Sequence, residues 1–172
     1  NFIDLCIKDP ILLQNLAKIG LERASFIQEL SIPAINNHEN IIIQAQTGSG
    51  KTLAYLLPLL NMINIRNKEV QAIILAPSRE LVQQIYQVAA SILHGTQYRA
   101  MALIGGANLQ GQVKRLRDQR PQIVIATPGR LGEIVFHLEK LKLSGVRAVV
   151  VDEVDNMLQQ PYVDDLQALL QA

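Results

Sequence analysis

The chain has 172 residues, 49% hydrophobic and 18% charged, with a formal net charge of +1. This length suits one domain of ordinary size, and the apolar fraction excludes a disordered chain. A lone cysteine, Cys6, excludes an internal disulfide framework or cysteine-built metal site. No apolar run approaches the roughly 18 residues of a membrane span, so a soluble intracellular protein is expected, cytoplasmic or nuclear, with an organelle as the open alternative.

Residues 1–39 read as a helical preface. Ile11, Leu12, Leu13, Leu16 and Ile19 fall at helical spacing with Gly20 as the C-terminal cap. A second helix starts near Ser25, carries Phe26, Ile27 and Leu30, and is expected to stop near Pro33. The polar cluster Asn36 to Asn40 then turns the chain into an apolar run.

From Asn40 to Ala172 short apolar runs alternate with helical stretches. Strands are expected at Ile41–Ala45, Ala72–Ala76, Ala100–Ile104, Ile123–Ala126 and Val146–Val151. Helices are expected at Lys51–Ile65, with a kink at Pro58, and at Glu80–Leu93, Leu109–Leu116, Leu131–Phe136 and Val163–Leu170. Such alternation indicates an α/β domain, a parallel sheet with helices on both faces. Ligands in such a sheet gather at the carboxyl ends of the strands. The basic cluster Lys114, Arg115, Arg117 and Arg120 reads as the solvated face of a helix end. His38, His94 and His137 lie far apart, at no metal-ligand spacing.

Two strand ends carry chemistry. Gln46-Thr47-Gly48-Ser49-Gly50-Lys51-Thr52 follows the first apolar run and leads into an aliphatic helix, the order of a phosphate-binding loop. The glycines let main-chain N–H groups curl inward, Lys51 supplies a point charge, and Thr52 offers a hydroxyl to Mg²⁺. The usual pattern begins with Gly, and here Ala45 holds that place. Asp152 and Glu153 end the last strand. One carboxylate acting largely through water suffices for Mg²⁺ beside Thr52, and Asp152 is the candidate. Glu153 is then the candidate to orient or deprotonate the water that attacks a γ-phosphate.

Together these motifs resemble the first, RecA-like domain of the DEAD-box RNA helicases. Ala45 to Thr52 matches that family's first motif, its Ala included, and Asp152-Glu153-Val154-Asp155 stands where the family has Asp-Glu-Ala-Asp. Pro77-Ser78-Arg79-Glu80-Leu81 is similar to Pro-Thr-Arg-Glu-Leu, Gly105-Gly106 to the double glycine, and Thr127-Pro128-Gly129-Arg130 to Thr-Pro-Gly-Arg. Gly20 to Gln28 resembles the Q motif, with Ala24-Ser25 for Pro-Thr.

The resemblance implies ATP and Mg²⁺ as cofactors and RNA as partner. It implies an adenine site with Gln28 reading the base edge, Phe2 stacking and Arg23 nearby. It implies RNA contacts from Pro77, Ser78, Arg79, Gly106, Thr127, Gly129 and Arg130. Val154 for Ala adds two methyls at a position expected to pack under the site, where crowding costs about 1 to 3 kcal/mol. The family continues with a Ser-Ala-Thr motif and a second helicase domain that carries arginine fingers, neither of which lies within these residues. The chain by itself, expected to be a monomer, should therefore be nearly inactive. A stand-alone ATP-binding regulatory module without turnover is the alternative.

Overall fold

The computed structural model describes all 172 residues. Two compact units form, Asn1–Asn64 with Val88–Gln97 and Ile65–Gln87 with Tyr98–Ala172.

In the first unit Asp9 caps α1 (Pro10–Lys18), its Oδ1 accepting from the N–H groups of Ile11 and Leu12, while Pro10 takes the first helical position, where a missing N–H costs nothing. The buried Asn15 donates from Nδ2 to the carbonyls of Ile92 and His94, fastening α1 to the end of α4 (Arg79–Leu93). α2 (Phe26–Asn36) packs on α3 (Lys51–Met62), whose residues from Leu53 to Leu60 are all buried. α2 runs one turn beyond Pro33, where a stop was expected. Pro33 is exposed, so its ring and missing N–H fall on the helix's open side.

The second unit is a parallel sheet of four strands, β1 (Ala72–Leu75), β2 (Ala100–Leu103), β3 (Ile123–Ala126) and β4 (Ala148–Val151), in the order β2-β3-β1-β4. Its register pairs Ala72 with Ile123 and Ala148, and Ala100 with Ile123. β1 and β3 are buried at every residue, so their continuous apolar runs cover both faces rather than alternating. One face joins a core of Ile73, Leu75, Leu103, Val124 and Ala126 with Leu116 of α5 (Leu109–Gln119), Leu131 of α6 (Pro128–Gly132) and Leu166 of α8 (Tyr162–Leu170).

Four of the five expected strands form. Ile41–Ala45 does not: it enters no ladder, and Ile42 is 91% exposed. A β-branched run supplies strand propensity, but a strand exists only where a neighbour takes its N–H and C=O groups. After α6 the helix widens into a π-turn at Glu133–His137, and a short α7 (Val154–Met157), absent from the expectation, follows β4.

Candidate nucleotide and nucleic-acid sites

The phosphate loop is built inside the first unit. Gly48 and Gly50 take left-handed conformations, φ +80° and +93°, and the N–H of Ser49 donates back to the carbonyl of Gln46, closing a tight turn before α3. The Lys51 ammonium folds across the turn and donates to the carbonyl of Ala45. Ser49 Oγ is buried without a hydrogen-bond partner. A buried hydroxyl left unpaired costs about 1 to 3 kcal/mol, and at the head of a helix beside a lysine the missing partner fits an anionic oxygen. Gln46, Thr47 and Gly48 are exposed, so the turn is open to a ligand.

Behind the loop stands the start of α2. Ser25 and Gln28 form a capping box, Gln28 Oε1 accepting from the Ser25 N–H at 2.9 Å. Both side chains then reach the loop. Ser25 Oγ donates to the Ser49 carbonyl at 2.8 Å, and Gln28 Nε2 donates to the Gly50 carbonyl at 3.1 Å. Gln28 is 3% exposed. The residue singled out as an adenine reader is thus also a buried clamp between helix and loop. Phe2 is 1% exposed, with the N–H groups of Leu5 and Ile7 both bonded to its carbonyl, so its ring lies in the core of this unit. The exposed aromatic ring in this region is Phe26, at 76%, while Arg23 reaches solvent.

In the second unit the acidic residues leave β4. The Asp152 N–H bonds the Leu75 carbonyl, extending the ladder by one residue, and Asp152 Oδ1 accepts from the Glu153 N–H at 2.9 Å. Glu153 adopts φ +49°, ψ +51°, a left-handed conformation costing a non-glycine residue about 1 kcal/mol, and its carboxylate accepts from Asn156 Nδ2. Such local strain is typical of functional turns. Val154 is 43% exposed, so the crowding expected there does not occur.

The other strand-end loops meet in a cleft of about 440 Å³ lined by Pro77, Arg79, Gly105, Gly106, Thr127, Pro128, Gly129 and Arg130, joined by Glu133, Pro161, Tyr162 and Asp165. The structure therefore brings together six of the seven residues named for RNA contact, while Ser78, beside them, caps α4 by accepting from the Leu81 N–H. The two arginines differ. Arg79 is exposed and lies over Gly106, where an added Cβ would sit 2.7 Å from Arg79 Cζ. Arg130 is 9% exposed, and both of its terminal nitrogens donate to the Ala107 carbonyl at 3.2 Å. Its Nε lies 3.1 Å from a Glu133 carboxylate oxygen, an ion-pair distance without hydrogen-bond alignment. Arg130 braces the double-glycine loop, and Arg79 is the cation presented to the cleft.

Gln112 has no place in the sequence expectation. At 1% exposure, it accepts from the Ile104 N–H at 3.1 Å and donates to the Ile104 carbonyl at 3.0 Å, acting as a substitute strand at the entry to Gly105-Gly106. Only its place on the buried stripe of α5, four residues before Leu116, hints at this in the sequence. No group of three or more His, Cys, Asp or Glu side chains forms a preassembled metal site. No helix is long and apolar enough to cross a membrane.

Comparison with known proteins identifies relatives over nearly the whole chain. The DEAD-box ATP-dependent RNA helicase CshC of Bacillus cereus is 39% identical over 168 residues, covering 96% of this chain and 43% of the relative. The probable ATP-dependent RNA helicase YfmL of Bacillus subtilis is 39% identical over 91% of this chain and 41% of its own length. The chain thus spans less than half the length of these curated relatives. Among solved structures, Dbp5 of S. cerevisiae bound to RNA and ADP BeF3 superposes with a TM-score of 0.87 at 29% identity, covering 99% of this chain and 43% of that one. A hypothetical ATP-dependent RNA helicase from Sulfolobus tokodaii gives 0.84 at 28% identity, over 95% of this chain and 47% of that one. The family model for the DEAD/DEAH box helicase matches residues 25–172, from the capping serine of α2 to the last residue, and the chain belongs to that family.

Proposed function

We propose that this chain is the ATP-binding part of an ATP-dependent RNA helicase, residues 1–39 contributing the Q motif and residues 40–172 the RecA-like domain. The observation that carries the reading is the phosphate loop itself: two left-handed glycines, a lysine folded across the turn and an orphaned buried Ser49 hydroxyl. Lys51 would exchange its bond to the Ala45 carbonyl for phosphate oxygens, and Ser49 Oγ would gain its missing partner. Gln28 retains one N–H and one oxygen lone pair beyond its two observed bonds, enough for one donor and one acceptor contact with an adenine edge. Phe2 would have to leave its buried position to stack on a base.

Magnesium, when bound, supplies charge neutralisation at the β- and γ-phosphates. The Thr52 hydroxyl and the Asp152 carboxylate are the hard oxygen ligands proposed for it, alongside water and phosphate. Glu153 is the proposed base, its carboxylate aligned by Asn156. RNA is proposed to lie along the cleft, with Arg79 on a phosphate, the hydroxyls of Ser78 and Thr127 donating to the backbone, and Gly106 and Gly129 allowing close approach. Its relatives are named ATP-dependent RNA helicases. A second domain in the full-length protein would complete the site, so RNA-dependent remodelling belongs to the longer protein.

Calorimetry of the chain with ATP and Mg²⁺ tests the first half of the reading. Binding is expected for the wild type and lost in Lys51→Ala with the fold unchanged, because the phosphate charge loses its nearest cation. Equal ATP affinity in the two proteins would refute the assignment of the loop. RNA-stimulated ATP hydrolysis by the full-length protein tests the second half, and hydrolysis indifferent to RNA would remove RNA from the function.

A further inference from the structure

We infer that the solvent face of α5 is a second phosphate-binding surface that continues the double-glycine cleft and holds single-stranded RNA beyond it; the inference rests on the RNA reading of the cleft. Between Tyr98 and Arg130 six Lys and Arg residues face a single acid, Asp118, although the whole chain is nearly neutral. α5 begins beside the cleft at its capping residue Asn108 and rises about 16 Å along its eleven residues. Gln112 and Leu116 turn inward, and Lys114, Arg115, Arg117 and Arg120 are all exposed. Arg117 pairs with its neighbour Asp118, while Lys114, Arg115 and Arg120 make no salt bridge.

A helix end also attracts cations to its own carbonyls, and on that ground alone the cluster would be a solvated cap. Two observations go further. Arg99, from outside the helix, already donates Nη1 to the Gln119 carbonyl at 3.0 Å. Arg120 holds a left-handed conformation, φ +46°, at the C-cap, a place where glycine is favoured. A long cationic side chain thus stands there against the backbone's preference, and Lys114 lies too far from the helix end to serve it. Arg120 closes the far end of α5, about 16 Å of helix from the cap beside the cleft, so a phosphate held there is not the one that Arg79 would hold.

The test is anisotropy with a labelled hexanucleotide and an RNA of about twenty nucleotides, from about 50 to 200 mM salt, on the full-length protein as wild type and as the triple variant Lys114→Gln, Arg115→Gln, Arg120→Gln. All three positions are exposed, and thermal melting confirms that the variant folds. The variant should bind the long RNA about tenfold more weakly at low salt, with its salt slope reduced by about 2, and bind the hexanucleotide as the wild type does. Unchanged long-RNA affinity would overturn the inference and leave the face to an acidic protein. Equal loss on both RNAs would also overturn it, since the charges would then act within the cleft. A wild type that binds neither RNA would overturn the RNA reading itself.

Discussion

Gln28 donates through Nε2 to the carbonyl oxygen of Gly50 at 3.1 Å, the same oxygen that accepts the first helical N–H of α3, from Ala54. Through that one atom the capping box of α2 and the phosphate loop share a joint. Gln28→Ala removes the clamp and half the capping box, so the melting temperature should fall in line with a loss of about 1 to 2 kcal/mol. ATP affinity should fall about tenfold. Parallel titrations with GTP separate the two roles of the side chain: a narrowed ATP preference places the amide on the base, and equal losses for both nucleotides would leave it as a clamp alone.

Gly50 and Gly48 are both left-handed, yet substitution should not treat them alike. A Cβ at Gly50 would lie 2.5 Å from Gln28 Nε2 and 3.1 Å from Ser25 Oγ, while one at Gly48 meets nothing within 4 Å. Gly50→Ala must break the clamp as well as strain φ, and is expected to cost about 2 to 3 kcal/mol. Gly48→Ala carries the backbone strain alone, about 1 kcal/mol. Denaturant titration of both variants reads the difference. The double variant Gln28→Ala, Gly50→Ala should be more stable than the sum of its parts predicts, because the same contact is lost twice.

The parallel sheet was legible because β1 and β3 are uninterrupted apolar runs, and the tight turn before α3 because Gly48 and Gly50 stand where the backbone is left-handed, a conformation glycine adopts without strain. Ile41–Ala45 shows the limit. Its three isoleucines carry strand propensity, and pairing, a property of a partner elsewhere in the chain, is not written in them. The same limit applies to single side chains. Gln28 and Arg130 were noticed for what each can offer a ligand, and the partners that occupy them, Gly50 and Ala107, lie 22 and 23 residues away. Phe2, given a stacking role by the resemblance alone, is packed in the core of the first unit, the place a hydrophobic ring takes by default.

Arg79 and Arg130, named together from the sequence, should separate experimentally. Arg130→Ala leaves the Ala107 carbonyl without its two charge-assisted donors and uncovers the Glu133 carboxylate, so a loss of about 2 kcal/mol in stability is expected. Arg79→Ala removes an exposed side chain, and stability should hold within about 0.5 kcal/mol while RNA affinity falls. Denaturation and RNA titration on the same two proteins check both statements. A stable Arg130→Ala protein with weakened RNA binding would show that its guanidinium leaves Ala107 to meet phosphate.

Gln112 offers the cleanest separation of shape from hydrogen bonding. Gln112→Leu keeps the volume but strands the buried N–H and C=O of Ile104, and about 2 to 4 kcal/mol of stability should go with them. Gln112→Glu keeps the acceptor for the Ile104 N–H and replaces the donor with a carboxylate oxygen against the Ile104 carbonyl. At neutral pH that contact is repulsive. Protonating the introduced acid restores a donor, so Gln112→Glu should gain stability relative to wild type as pH falls through the titration of the new carboxyl, while Gln112→Leu should not. The loop beyond Ile104 carries Gly106 beneath Arg79 and Ala107 beneath Arg130, so both variants should also weaken RNA binding at neutral pH. Thermal melts of the three proteins across pH, with RNA titrations at pH 7, decide the matter; identical pH profiles for the Leu and Glu variants would mean that the amide does not hold Ile104 in solution.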